Sequence, residues 1–133
     1  DTTTKITFTN NNTEFNRNGV QFVINPNDEF GLTKALHIKE RNAGSTVTVI
    51  HVGPASNDPI IRKSLAIGAD DAVRIDTMAN DPIQVANEIA HYIKDNPFDL
   101  IITGKESIDY NGAVVPHAHS PPRSRRPCAA RHA

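Results

Sequence analysis

Two kinds of hydrophobic pattern alternate along the chain: short β-branched runs, and longer stretches in which apolar residues return every three or four positions. Residues 46–52 (TVTVIHV) and 72–76 (AVRID) read as strands, and Leu100, Ile101 and Ile102 form the continuous apolar run of a strand at 99–103 covered on both faces. Between them lie helical signals. Asn25 offers an N-cap, Pro26 the favoured first helical position, and Asp28 and Glu29 place acids where the helix dipole welcomes them. Leu32, Ala35, Leu36 and Lys39 follow at helical spacing until Asn42-Ala43-Gly44, which predicts a helix over 26–41. Asn57 or Asp58, then Pro59, open a second helix whose inward side is marked by Ile61 and Leu65 and whose stop is Gly68. Asp81-Pro82 repeats the signal. Val85, Ala86, Ile89, Ala90 and Ile93 then draw an amphipathic stripe that ends at Asn96-Pro97. Upstream, residues 4–9 and 19–24 are β-rich segments separated by NNNTEFNRN, and they read as a hairpin or β-excursion.

The order β-α-β-α-β with short connections predicts an α/β domain built on a parallel sheet with right-handed crossovers. In such sheets ligands settle beyond the carboxyl ends of the strands. The stretch 98–116, FDLIITGKESIDYNGAVVP, is therefore the centre of interest: a strand runs directly into a polar, glycine-bearing loop. Gly104, Lys105, Glu106, Ser107, Asp109 and Asn111 fall where a bound small molecule would lie, although a plain connecting loop uses the same residue types.

Composition narrows the function classes. At 133 residues, 38% of them hydrophobic, the chain supports one modest core, residues 1–116, and no apolar run nears the roughly 20 residues that cross a bilayer. Membrane insertion is not expected. A single cysteine, Cys128, forms no internal disulfide and points to a reducing compartment. The chain starts at Asp1 without methionine or leader and reads as trimmed. Residues 117–133, HAHSPPRSRRPCAARHA, carry four of the 14 basic residues, no acid and no aliphatic side chain larger than alanine. The net charge of −1 thus divides into −5 for the body and +4 for the tail. That tail is expected to be disordered and foreign to the domain, and without aromatic residues beside an acidic body it does not make a nucleic-acid arm.

No catalytic or metal constellation emerges. His51 ends a strand beside Gly53 but has no Cys, His or carboxylate at ligand spacing, which favours a structural histidine. Lys105 and Ser107 match neither a GxSxG elbow nor an SxxK pair. GxGxxG and Walker A patterns do not occur, so any nucleotide would be held by loops at several strand ends.

The segments INPNDEFGLTKALHIKE (24–40), VIHVGPAS (49–56), IRKSLAIGADDAVRI (61–75) and DLIITGKESID (99–109) together resemble the β subunits of electron transfer flavoproteins, in the same order and at similar spacing. The resemblance implies a Rossmann-like, three-layer parallel sheet of the adenine-nucleotide-binding type, similar to universal-stress and photolyase-like domains. It implies AMP, or a second FAD in bifurcating members, on this subunit, and an α subunit that carries FAD. The heterodimer would move electrons from acyl-CoA and related dehydrogenases to a membrane-bound quinone oxidoreductase, in the bacterial cytoplasm or the mitochondrial matrix, with no catalytic residues on this chain.

Carried over by position, the nucleotide loops match Asn25, Pro26, Asn27 and Asp28, Val52, and Gly104, Lys105, Glu106, Ser107, Ile108, Asp109, Tyr110 and Asn111. The family opens with a strand ahead of the position of Asp1, central in the sheet, and continues past Pro116 into further helix, strands and a partner-embracing arm; neither part is in the present sequence. Two other readings stay open on the residues alone: a stand-alone adenine-nucleotide sensor of the universal-stress type, and a nucleotide hydrolase or transferase, which lacks a metal-binding carboxylate pair.

Overall fold

The computed structural model describes residues 5–78, 81–108 and 111–118. The chain begins with a small antiparallel hairpin, β1 (Phe8–Thr9) and β2 (Glu14–Phe15), with Phe8 opposite Phe15. Its turn is made by Asn10, Asn11 and Asn12, all at positive φ (51°, 55° and 66°), a region that asparagine tolerates better than other side chains. The hydroxyl of Thr13 donates to the Asn10 carbonyl at 2.6 Å, and the Asn10 amide reaches Glu14 at 2.8 Å. This hairpin closes inside the stretch read as a connector. The predicted strand at 19–24 does not form: those residues are irregular, with Phe22 and Val23 exposed. A turn that closes locally costs less chain entropy than one that pairs 4–9 with 19–24, and the asparagine run supplies it.

Helix α1 (Pro26–Arg41) has the predicted bounds. Leu32 is buried, Ala35, Leu36 and Lys39 lie partly covered, and Gly68 receives Leu36 so closely that a Cβ there would sit 3.3 Å from the leucine Cδ1. Strand β3 (Thr48–Val52) pairs in parallel with β4 (Asp71–Ile75), Thr48 opposite Asp71 and Val52 opposite Ile75. A short 3₁₀ turn, Ala55–Asn57, and helix α2 (Asp58–Ile67) make the crossover that a parallel pair requires. In α2 the inward stripe runs through Ile61 and Ser64, while Leu65, expected to face in, is 39% exposed. Positions 61 and 64 satisfy the i, i+3 spacing as well as 61 and 65 do, and the small serine permits the closer approach.

Helix α3 (Pro82–Asp95) packs on β3, with Ala86 buried, Val85 and Ile89 partly covered and Ala90 exposed, and α4 (Val114–Ala118) packs on α3. Helix α4 takes in His117 and Ala118, two residues beyond the predicted domain end; residues 119–133, the rest of the expected tail, lie outside the described residues.

The expected strand at 99–103 is the main correction. These residues have no ladder partner among the described residues, and Leu100 and Ile101 are 59% and 48% exposed. Apolarity makes a segment fit for burial, but strand structure also needs a neighbour to satisfy its N–H and C=O groups. The result is a mixed α/β fold with a two-stranded parallel sheet.

Two polar pins hold the frame. Asp70 accepts from the Val47 N–H at 2.8 Å and pairs with Lys39, joining α1 to the edge of the sheet; the lysine chiefly, then the amide, holds its carboxyl below the usual range. Asp81 caps α3 by accepting from the Ile83 and Gln84 amides at 2.8 and 2.9 Å, whereas the residues preceding α1 and α2 make no side-chain cap. Asp81→Ala is therefore expected to lower unfolding free energy by about 1 kcal/mol in urea titration, with Asn57→Asp changing helix capping little.

A candidate nucleotide-loop site at the start of the first helix

The site residues assemble because α1 begins against the segment that leaves Ile102. Gly31 allows the approach: a Cβ there would already touch Ile102 Cγ2 at 3.4 Å. From that footing the first turn of α1 grips the loop through side chains. The Asp28 carboxylate accepts the Gly104 N–H at 2.8 Å. The amide nitrogens of Asn25 and Asn27 both donate to the Glu106 carbonyl at 2.8 Å, and the Asn25 oxygen accepts the Ile108 N–H at 3.3 Å. Asn25 also donates to Asp28 at 2.8 Å, so the two anchoring residues brace one another. The loop closes on itself where the Ser107 N–H meets the Gly112 carbonyl at 2.9 Å.

Asn25 was expected to cap α1. It instead uses its side chain across the molecule, and its backbone carbonyl takes the Asp28 and Glu29 amides at 2.9 and 3.0 Å. Gly104 was expected to be glycine so that a ligand could come close. What comes close is Asp28: a Cβ on Gly104 would fall within its carboxylate and 2.9 Å from its backbone nitrogen. Asn111 holds φ at 56°, the left-handed turn that brings the chain back toward Gly112. Lys105 is exposed and reaches Glu106 at 3.5 Å, an ion pair in water that contributes little. Pro26 opens the helix from an exposed position. Asp109 and Tyr110 lie outside the described residues.

Val52, the remaining predicted residue, ends β3 half-buried, and the ladder continues one step to the Gly53 N–H and Ile75 carbonyl at 3.0 Å. Beside it stands a polar cluster in which His51, singled out in the sequence as a structural histidine, pairs with Asn57 and lies beside Arg74, partners the sequence did not reveal. His51 Nε2 pairs with the Asn57 amide at 2.9 Å across the buried Gly53, where a Cβ would lie 2.8 Å from both. Burial first, and the Arg74 guanidinium second, push the His51 imidazole below its ordinary value, while Asp28 pulls the other way. The field of Asp28 on His51 links the β3 end to the start of α1. The signal available in the sequence was Arg74 itself, a cation between Val73 and Ile75 in a short strand flanked by aspartates. Among the described residues no group of three His, Cys, Asp or Glu side chains could hold a metal ion, and no helix is long and apolar enough to cross a membrane.

Two outcomes follow from this geometry. Gly104→Ala should destabilise the chain by about 1–3 kcal/mol through overpacking, and the double variant with Asp28→Ala should recover part of that loss in a denaturant cycle, because the side chain in the way is gone. His51 is neutral in the fold and protonates more readily when unfolded, so its contribution is whole above about 6.5, its unperturbed value, and declines as pH falls through the lowered folded value. His51→Gln should flatten the fall in melting temperature between pH 7.5 and 5.5 relative to the parent chain.

The electron transfer flavoprotein domain profile matches residues 13–118. Protein FixA of Azotobacter vinelandii is 40% identical over 107 residues, which covers 74% of this chain and 37% of FixA. The electron transfer flavoprotein subunit beta of Bacillus subtilis is 37% identical over 103 residues (74% of this chain, 40% of the relative), and that of Sus scrofa 32% over 96 residues (68% and 38%). The chain thus spans about two fifths of the length of these relatives. The match takes in α1, both strands of the parallel sheet and the 104–108 loop in one continuous alignment span, and on that basis the chain belongs to the electron transfer flavoprotein family, among its β-subunit relatives.

Proposed function

We propose that the chain serves as the nucleotide-holding part of an electron transfer flavoprotein β subunit, in a Rossmann-like domain. It binds AMP, or a second FAD, and pairs with an FAD-bearing α subunit that carries electrons from acyl-CoA and related dehydrogenases to a membrane-bound quinone oxidoreductase. The observation that carries this reading is the family match over residues 13–118, which contains both halves of the side-chain-locked loop at the start of α1.

The donor and acceptor set fits an adenine nucleotide in one sense. The Asp28 and Glu29 amides at the helix start already bond to the Asn25 carbonyl, and Asp28 adds a carboxylate there. That end repels a phosphate and suits partners that donate, an adenine amine or ribose hydroxyls. The bound nucleotide supplies recognition or a redox-active ring; this chain's residues orient it and shape the loop around it.

The test is co-expression of the full gene product with an FAD-bearing α subunit, followed by mass analysis of released nucleotide. Stoichiometric AMP or FAD on a heterodimer is expected; a monomer that keeps nucleotide and never acquires flavin would replace this reading with the stand-alone sensor. In that heterodimer Gly104→Val should release AMP and spare the α-subunit FAD, because the added side chain drives Asp28 from the loop. Unchanged AMP content would remove the loop from the site.

A further inference from the structure

His51 and Arg74 are direct partners in the parallel register, so both side chains stand on the same face of the sheet at its carboxyl end. The Arg74 side chain, 23% exposed, makes three polar contacts there. Its Nη1 donates to the Gly53 carbonyl at 3.1 Å, its Nε pairs with Asp58 at 2.8 Å, and Nη1 also meets Asp76 at 2.8 Å. Asp76 first, then Asp58, hold the guanidinium firmly charged. One group therefore ties together the residue that follows β3, the start of α2 and the exit of β4. The loop it encloses, 53–57, is closed from the other side by the His51–Asn57 pair, and Gly53 has no room for a side chain between them.

We propose that Arg74 is the positioning residue of the 53–58 loop, and that by fixing the Gly53 carbonyl and Asp58 it sets the pose in which Val52 and Gly53 face the nucleotide. The proposal rests on the nucleotide reading above, and concerns a residue outside the loops that reading uses. A planar, forked donor suits these three acceptors, which lie on different elements, better than a lysine point charge does. Arg74 works through the backbone it holds, without touching the ligand. Asp58 belongs to the clamp, at the start of α2; Asp76, at the exit of β4, is held by the same guanidinium, and its side chain is 73% exposed.

That asymmetry supplies the test. AMP is titrated calorimetrically into the heterodimer carrying Arg74→Met, Arg74→Lys, Asp58→Asn or Asp76→Asn, with amide hydrogen exchange followed in each. Arg74→Met is expected to weaken AMP about tenfold, through loss of the loop's pose, and to speed exchange at residues 53–58 while α3 exchanges as before. Arg74→Lys should recover affinity in part, Asp58→Asn should follow Arg74→Met more weakly, and Asp76→Asn should leave affinity within about twofold. Equal losses for Asp58→Asn and Asp76→Asn, or a loosened loop with unchanged AMP affinity, would overturn the positioning role. If the parent heterodimer binds no AMP, the nucleotide reading fails first, and the exchange data still report whether Arg74 holds the loop.

Discussion

The contact on which the site depends is the grip of the first turn of α1 on the backbone at 104–108. Three side chains, Asn25, Asn27 and Asp28, take up two backbone N–H groups and one carbonyl of a segment that has no ladder of its own among the described residues. A backbone run that is neither helix nor strand must find partners one group at a time, and here helix-borne side chains supply them. The bonds also specify distance. Gly31 and Gly104 are the two points where a helix and a loop come close enough for short amide and carboxylate side chains to bridge. A longer side chain at position 28 would need a wider gap and would lose the Asn25 brace.

The sheet end obeys a different logic. There the parallel pair brings His51 beside Arg74, and burial makes charge count for more than it would in water. One guanidinium surrounded by a carbonyl and two carboxylates keeps its own charge and discourages a second on the histidine. The neutral imidazole can then accept from the Asn57 amide at Nε2, a pairing that spans a glycine. Asp28 contributes to both regions, as a ligand of the loop and as part of the field on His51.

Much of this was legible in the sequence where the physics is local. Pro26, Pro59 and Pro82 with their flanking Asn and Asp residues marked three helix starts, and Gly68 a helix stop, because caps and φ restrictions act within a few residues. The grouping of residues 25–28 with 104–111 came from the family resemblance, and the structure brings 25–28 against 104–108 without a strand at 99–103. Their roles were not legible in the sequence. Asn25 looked like a cap and acts as a cross-chain anchor, since a cap and an anchor use the same amide and only tertiary structure decides its direction. The strand at 99–103 failed for a related reason: its apolar run states a demand for cover, while pairing belongs to a neighbour. Arg74 was passed over because alternation predicts the face of a strand residue and says nothing about which acceptors await it there.

The grip on the 104–108 loop joins residues 76 to 83 positions apart in the chain. On a ribosome that adds about 5–20 residues per second, α1 emerges roughly 4–16 s before its partner exists. During that interval Asn25, Asn27 and Asp28 are a polar helix start in water, able to fold but with nothing to hold. The hairpin and the β3–α2–β4 unit close over far shorter separations and so gain their contacts first. Closure of the 104–108 loop onto α1 is thereby a late event in the synthesis of this region, and a chain stalled before Gly104 would leave α1 folded without the segment its first turn grips.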